Sequence, residues 1–172
     1  PNPGRFSGRI MGEAEERALA GPIPAVVARI AGIYGAERSR IVRHVATGLA
    51  RVPTGTSAWT NLIHRDDCAA ALQHLLDLPD PDRLYVLSDD EPVEHAALLR
   101  WLAGHLGVPD PQEGEDEGAS PWLRQRSGDA GKRLSNARLR ASGFRFQLPT
   151  YREGYAQVVA ALQARGALPP RA

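Results

Sequence analysis

The sequence predicts an α/β fold, in which strands and helices alternate along one compact chain. Its 172 residues, 42% hydrophobic and 24% charged, are enough to bury the core of a single globular domain. Residues 25–35 form a nearly unbroken apolar run, which is typical of a strand buried on both faces of a parallel sheet. The segments after this run alternate between short strand patterns and patterns of helical period.

The first element is an amphipathic helix, predicted over residues 8–20 with Ser7 as its N-cap. Its apolar side is formed by Ile10, Met11, Ala14 and Ala18. The apolar strand follows and is predicted to end in a loop at Gly32 and Gly35. Residues 39–50 then show the moderate periodicity of a second helix.

The middle of the chain predicts two more strands, each followed by a helix. Residues 59–64 have the pattern of a short strand, and the aspartates at 66–67 open a helix, where acidic residues suit the helix dipole. The inward positions of that helix are predicted to be Cys68, Ala69, Leu72, Leu75 and Leu76. Residues 83–88 predict the next strand, and Pro92 suits the first turn of a helix that ends at Gly107.

The last third of the chain begins with a stretch of loop composition. Residues 108–130 hold prolines, glycines and an acidic cluster, which predicts an exposed, mobile loop. A short helix over residues 135–142 and a small strand over residues 144–148 are predicted to follow. Thr150 and Glu153 have the spacing of a capping box, which predicts the start of a final helix.

Only about four strands can be recognised in this way, and only the first is apolar throughout. A parallel sheet cannot consist of one such strand. The simplest account is that the early part of the chain is the last strand and flanking helix of a larger sheet, whose other strands lie outside this sequence. A smaller α/β lobe then completes the chain.

Composition excludes several classes of function. The formal net charge is +1, so no global field attracts nucleic acid or an acidic membrane surface. No apolar stretch approaches the roughly 18 residues that span a bilayer, and the N-terminus lacks the apolar core of a signal peptide, which predicts a cytoplasmic protein without a membrane partner. The single cysteine, Cys68, excludes an internal disulfide and a thiolate metal site, and no metal is predicted.

Four passages of the chain carry a resemblance, at residues 13–15, 28–35, 61–69 and 84–93. They resemble four motifs of the extended short-chain dehydrogenases/reductases, the NAD-dependent epimerase/dehydratase family. The first two resemble the end of the helix with the Tyr-x-x-x-Lys pair and the strand ending in Arg-Pro-x-x-Val-Tyr-Gly. The last two resemble the Ile-His-Val-x-Asp-x-Ala segment and the Tyr-Asn-Val-x-Asp-x-x-Pro strand. Further passages are similar to the YeeZ-type group of atypical bacterial members, at residues 6–9, 59–67, 99–103, 132–143 and 149–155.

The resemblance implies that the chain is the C-terminal half of such a protein. Residues 1–35 would be the C-terminal portion of a Rossmann-like domain, and residues 36–172 a substrate-binding lobe. NAD or NADP would be the cofactor, and a small molecule such as a nucleotide-linked sugar the substrate. The first helix would form a homodimer interface, as it does in the family. The glycine-rich turn that holds the pyrophosphate of the cofactor is absent, because the early glycines follow no strand.

The resemblance also assigns residues beside the cofactor. By resemblance, the strand end that passes the nicotinamide ring corresponds to Ile30, Ala31 and Gly32. Their backbone would contact the cofactor there, and the alternative is a loop without a binding role. Arg29 lies inside the apolar run, where an unpaired guanidinium is unfavourable, and we predict an ion pair with Asp67 on a neighbouring element.

Candidate substrate contacts lie on the next elements. By resemblance, Asn61 and His64 lie on the strand along the substrate cleft, and Tyr34 lines the same cleft. The alternative for His64 is a hydrogen-bonded structural role at a helix start, and the alternative for Tyr34 is aromatic packing.

Seven positive charges within 22 residues follow the acidic loop, namely Arg124, Arg126, Lys132, Arg133, Arg138, Arg140 and Arg145. Such a cluster, with Arg133 as the residue assigned to the substrate, can clamp the diphosphate of a nucleotide-linked ligand. The alternative is pairing with the acidic loop and with solvent. Aromatic residues are not interleaved with these cations, which argues against a nucleic-acid partner.

The catalytic pair of the family is absent from this chain. Aligning the helix of the family on Glu15 puts Ser7 at the tyrosine position and Met11 at the lysine position. A serine hydroxyl has too high a pKa to replace a phenol unaided, and Met11 cannot lower it. Ser7 is therefore the one catalytic candidate, and activity is left open. The alternative is a non-catalytic ligand-sensing or protein-interaction module on the same fold.

Overall fold

The computed structural model describes residues 6–52, 54, 58–114 and 131–168 of the chain. The helices of these residues are α1 (Phe6–Ala20), α2 (Arg40–Ala46), α3 (Arg65–Asp77), α4 (His95–Leu106), α5 (Ala137–Ala141) and α6 (Tyr151–Ala164), with a 3₁₀ turn at Ala36–Arg38. The strands are β1 (Val27–Ile30), β2 (Gly32–Tyr34), β3 (Trp59–Thr60), β4 (Leu62–His64), β5 (Leu84–Leu87) and β6 (Val93–Glu94).

The strands form two parallel pairs and one antiparallel pair. β1 runs parallel to β5, and β2 runs parallel to β4, whereas β3 and β6 are antiparallel. The apolar run at residues 25–35 therefore has parallel neighbours, which confirms the predicted α/β class. The prediction that this strand ends at Gly32 is wrong, because Gly32 begins β2 after a single intervening residue, Ala31.

Helix α1 turns its apolar side outward. Ile10 and Met11 are 47% and 58% exposed. The half-buried positions of the helix are 8, 12, 15 and 19, so its inner side consists of small and partly polar residues. The prediction that Ser7 caps this helix is wrong, since α1 already begins at Phe6.

The predicted ion pair between Arg29 and Asp67 is not formed. Arg29 binds Glu15 of α1 through two hydrogen bonds, from Nε to Oε1 at 2.9 Å and from Nη2 to Oε2 at 2.6 Å. Arg83 also reaches α1, since its Nη2 donates to the carbonyl of Leu19 at 2.6 Å. Strand β1 packs against α1 rather than against the start of α3, so the carboxylate nearest to Arg29 belongs to α1.

The β2–β4 pair lies between two apolar clusters. Tyr34 and Leu62 point into one cluster, which α2, α4 and α6 complete. Ile33 and Ile63 point into the other, which holds residues of α3 and β5 together with Leu139 and Phe144. Successive side chains of a strand point to opposite faces, so the alternation in this pair assigns neighbouring residues to different clusters.

Helix α3 buries less of its apolar surface than the sequence predicts. Cys68 and Leu75 are buried, as predicted. Ala69, Leu72 and Leu76 were predicted to point inward, but all three are exposed, Leu76 to 80%. The buried side of α3 includes Asp67, so it is rotated around the helix relative to the side that the apolar pattern predicts.

Two predictions after β5 are wrong. Pro92 does not open a helix, because it precedes β6, and α4 begins only at His95. Residues 144–148 do not form a strand, because the backbone amides of Gln147 and Leu148 donate to Asp67 instead of to a neighbouring strand. The end of α4 at Gly107 is confirmed, and this glycine adopts a φ of 73°, which favours glycine over other residues.

The final helix begins as predicted. Thr150 and Glu153 form a capping box at the start of α6, and the predicted apolar side of that helix is buried. The second helix is shorter than predicted and ends at Ala46. Among the described residues, no helix combines the length and the apolar character needed to cross a membrane.

Candidate functional site

The bend between β1 and β2, at residues 30–32, lies at the carboxyl end of β1. The amide of Ala31 donates to the carbonyl of Leu87 at 2.9 Å, and the amide of Gly32 donates to the carbonyl of Asn61 at 3.0 Å. Ile30 is 42% exposed. We call this place, where β1 and β5 end and β2 and β4 begin, the carboxyl edge. Ligands of open α/β sheets bind outside the carboxyl ends of the strands, so a ligand is expected at the ends of β1 and β5.

Asn61 connects the bend to a distant part of the chain. Its side-chain Nδ2 donates to the carbonyl of Lys132 at 2.8 Å, and its Oδ1 accepts from the amide of Leu134 at 2.7 Å. Both polar atoms of the carboxamide are therefore bonded to backbone. We call residues 131–136 the clamped segment.

The clamped segment is fixed at its other end by Asn136. The Nδ2 of this residue donates to the carbonyl of Ser88 at 2.9 Å and to Oδ1 of Asp90 at 2.7 Å. Asp90 also binds Arg140, whose Nε lies 2.8 Å from Oδ1. Partial burial acts to raise the pKa of Asp90, but the hydrogen bonds from Arg140 and Asn136 outweigh it and lower the pKa below the ordinary value. The segment therefore spans from Asn61 to the residues that follow β5.

The structure divides the basic cluster into two groups. Arg138 pairs with Asp82 at 3.6 Å, and Arg140 pairs with Asp90. Lys132, Arg133 and Arg145 are exposed and have no acidic partner among the described residues. The guanidinium of Arg133 lies 5.1 Å from the centre of the Trp59 ring, a distance at which cation–π attraction operates. Arg124 and Arg126 lie outside the described residues.

Tyr34 and His64 lie together but are buried. Their rings meet edge to face at 5.4 Å, and Tyr34 stacks on Tyr155 of α6 at 4.3 Å. His64 precedes α3, and its Nδ1 accepts a hydrogen bond from the amide of Asp66 at 3.3 Å. Burial lowers the pKa of His64 although Asp66 and Asp67 oppose this effect. Burial also raises the pKa of the Tyr34 phenol, so its proton is held throughout the ordinary pH range.

Three buried polar atoms belong to Tyr34, the last residue of β2, and to Ser88 and Asp89, which follow β5. The hydroxyl of Tyr34, Oγ of Ser88 and Oδ2 of Asp89 have no hydrogen-bond partner among the described residues. The other carboxylate oxygen of Asp89 accepts from the amide of Glu91 at 3.3 Å. Burial raises the pKa of the Asp89 carboxyl from 3.8 to about 8. Asp89 is not among the residues predicted from the sequence, although an aspartate directly after an apolar strand is a signal for a buried acid.

Asp89 is expected to make the fold less stable as the pH rises. The unfolded chain releases the proton near pH 3.8 and the folded chain near pH 8, so the free energy of unfolding decreases across that interval. Asp89→Asn removes this titration. We expect the thermal midpoint of the wild type to fall between about pH 5 and about pH 9 by more than that of the variant. The matched control is Asp80→Asn at an exposed position. Equal pH profiles for wild type and Asp89→Asn would contradict the expectation.

The comparison with solved structures identifies the fold. A protein of Methylobacillus flagellatus, assigned to the NAD-dependent epimerases/dehydratases, is 36% identical over 92% of this chain, with a TM-score of 0.73. The chain has the epimerase/dehydratase fold. A conserved protein of unknown function from Silicibacter pomeroyi is 30% identical over 94% of the chain, with a TM-score of 0.76. The chain covers 54% and 56% of these two proteins and thus spans about half of their length.

Neighbours of lower identity share the epimerase/dehydratase fold alone. A human epimerase family protein with NADPH is 16% identical over 90% of this chain and 55% of its own, with a TM-score of 0.74. Others include the UDP-glucose 4-epimerase of Thermotoga maritima with UDP-glucose and an enzyme of Bordetella bronchiseptica with NAD and UDP. No protein-family model and no curated protein matches the chain.

Within the epimerase/dehydratase fold, the predicted site residues fall into three places. The bend at residues 30–32 and Asn61 meet at the carboxyl edge, and Asn61 brings Arg133 to the same edge. Tyr34 and His64 lie together in the buried layer behind it. Ser7 lies in the first turn of α1, and its assignment as the catalytic residue stays a prediction.

Proposed function

We propose that the chain forms the substrate-side part of an NAD(P)-binding protein of the epimerase/dehydratase type, and that ligands bind at the carboxyl edge of β1 and β5. The observation that supports this most directly is the meeting of the bend at residues 30–32 with the clamped segment. Exposed apolar surface at Ile30 and two cations, Lys132 and Arg133, come to one edge of the sheet there. Ligands of open α/β sheets bind at this edge.

The residues of the bend fit the nicotinamide end of the cofactor. Ile30 offers apolar surface, and the exposed backbone of Gly32 follows two residues later. The described residues include no glycine-rich turn between a strand and a helix, so the pyrophosphate would be held by another part of the protein. NAD or NADP, when bound, supplies the hydride chemistry. The contribution of Ile30, Ala31 and Gly32 is to orient the ring at the edge.

Two features of α1 and β1 support the proposal that this chain is part of a larger fold. β1 pairs with β5 on one side, and within the described part of the chain no strand pairs with its other side. The outward side of α1 includes Phe6, which is 73% exposed. We propose that residues 1–35 belong to a Rossmann-like domain and residues 36–172 to the substrate-binding lobe. On this proposal the chain is the C-terminal half of a bacterial YeeZ-type protein that dimerises through α1.

A nucleotide-linked sugar is the proposed substrate class. Neighbours that share the fold were solved with UDP-glucose or UDP, and Lys132 and Arg133 provide the cations that a diphosphate requires. Tyr34 and His64, which lie buried behind the carboxyl edge, stay candidates for contacts with the substrate. The proposed location is the cytoplasm, which the low cysteine content of this chain supports.

A non-catalytic ligand sensor is the second candidate function. No tyrosine of the sequence is followed four residues later by lysine, and Lys132 is the only lysine. Met11, at the lysine position of the resemblance, is exposed on the outward side of α1. This side chain cannot lower the pKa of a neighbouring acid. Catalytic turnover that depends on Ser7 would contradict this alternative.

The proposal is tested by titrating the chain with NADH and, separately, with UDP, while backbone amide shifts are recorded by NMR. We expect NADH to shift the amides of residues 30–32 and UDP to shift those of residues 132–134. Ile30→Asp replaces the apolar contact with a charged carboxylate, so it should weaken the NADH response and leave the clamped segment in place. Saturable shifts confined to other residues, or no shifts with either ligand, would reject the proposal.

A further inference from the structure

We infer that Asn61 is a positioning residue, which holds the backbone of the clamped segment so that Lys132 and Arg133 present two cations to a phosphate-bearing ligand. The inference rests on the proposed function, because it assumes that such a ligand binds at the carboxyl edge. It assigns Asn61 a role that acts through the clamped segment rather than by contact with the ligand.

The hydrogen bonds of Asn61 fix the backbone of Arg133, which lies between the two groups that Asn61 binds. Its carboxamide bonds to the carbonyl of Lys132 and to the amide of Leu134, and these two groups flank Arg133 on both sides. Asn61 is itself fixed, because it joins β3 to β4 and its carbonyl accepts from Gly32. The backbone of Arg133 is therefore held relative to the bend at residues 30–32.

A second anchor limits the freedom of the same segment. Asn136 bonds to the carbonyl of Ser88 and to Asp90, which Arg140 also binds. Only one residue, Ser135, separates Leu134, the last partner of Asn61, from this anchor. The segment is thus held to β4 at one end and to the residues after β5 at the other.

The charges near the segment indicate what it holds. Asp82 and Asp90 are engaged by Arg138 and Arg140, whereas Lys132 and Arg133 have no acidic partner in the described chain. Trp59 lies against the guanidinium of Arg133 and limits its orientation. Ordering a long cationic side chain at binding costs free energy, so cations that are already ordered bind an anion more tightly. Two adjacent cations suit the oxygens of a diphosphate.

The test measures the affinity of the full 172-residue chain for inorganic pyrophosphate by calorimetry. Three variants are compared with the wild type, namely Asn61→Ala, the double substitution Lys132→Ala with Arg133→Ala, and the combination of all three substitutions. We expect Asn61→Ala to weaken pyrophosphate binding by about two- to tenfold, and the double substitution to weaken it further. In the combined variant Asn61→Ala should have no additional effect, because nothing remains for it to position.

The outcomes separate the inference from the proposed function. If the double substitution leaves pyrophosphate affinity unchanged, the anion site itself is absent and both proposals fail. If the double substitution weakens binding but Asn61→Ala does not, the proposed function stands and the positioning role is overturned. An equal effect of Asn61→Ala with and without the two cations shows a general structural role and also overturns it.

A second variant keeps the test decisive if Asn61→Ala fails to fold. Asn136→Ala releases the other end of the clamped segment and leaves β4 untouched. It should also weaken pyrophosphate binding, and only while Lys132 and Arg133 are present. Thermal unfolding of each variant shows whether the fold is retained, and an Asn136→Ala chain that folds and binds pyrophosphate as tightly as the wild type counts against the inference.

Discussion

Replacing Gly154 with alanine is expected to destabilise the fold by about 3 kcal/mol or more. Gly154 lies in the first turns of α6, where a Cβ atom would stand 2.7 Å from Cζ and 2.9 Å from Cε2 of Tyr34, and closer still to its hydroxyl oxygen. The Tyr34 ring cannot move away, because it stacks on Tyr155 and is 2% exposed. Either α6 must shift or the ring must leave its cluster.

The matched control for this substitution is Gly104→Ala. Gly104 lies within α4, and a Cβ atom there would meet nothing within 4 Å. Alanine at this position should stabilise the helix by about 0.5–1 kcal/mol, because it reduces the freedom of the unfolded chain. Urea unfolding of both variants measures the difference. If Gly154→Ala unfolds at the same urea concentration as the wild type, the tight contact between Tyr34 and α6 does not exist.

Replacing Asp67 with alanine is expected to cost about 3–5 kcal/mol. The carboxylate of Asp67 is fully buried, and its two oxygens accept from the amides of Gln147 at 2.8 Å and Leu148 at 2.9 Å. Alanine removes both charge-assisted hydrogen bonds and leaves two amide groups without a partner. These bonds also hold the segment before α6, so the loss should reach the packing of that helix.

Asp66→Ala, on the same turn of α3, is the control for Asp67→Ala. Asp66 is half exposed and pairs with Arg65, an interaction worth about 0–1 kcal/mol at a surface. The denaturant midpoint of the Asp67→Ala variant should therefore be clearly lower than that of the Asp66→Ala variant. Asparagine at position 67 keeps one acceptor oxygen and should recover part of the stability. Equal midpoints for Asp66→Ala and Asp67→Ala would show that the amides of residues 147 and 148 do not depend on Asp67.

The sequence predicts the order of elements well where one short segment decides its own structure. The apolar run at residues 25–35, the end of α4 at Gly107 and the capping box of α6 each depend on residues that are neighbours in the chain. Local patterns fail where a distant group competes. The backbone at residues 144–148 has strand-like composition, yet its amides bond to Asp67, about 80 residues earlier in sequence.

The choice of partners in the site could not be predicted for the same physical reason. The apolar run around Arg29 indicates that its guanidinium needs a carboxylate partner. Both Glu15 and Asp67 could be that partner until the packing of α1 is known. The carboxamide of Asn61 has ordinary hydrogen-bonding capacity, and its partners lie 71 and 73 residues away. The resemblance assigned the bend and Asn61 to the site, and the basic cluster assigned Arg133, but the contacts that join them depend on tertiary structure.

The connection between β1 and β2 constrains how this fold can vary. A single residue, Ala31, separates a ladder shared with β5 from a ladder shared with β4. One inserted residue there would turn every side chain of one ladder to the opposite face and exchange interior for exterior. The joint at Ala31 must therefore keep its length for both ladders to keep their buried faces.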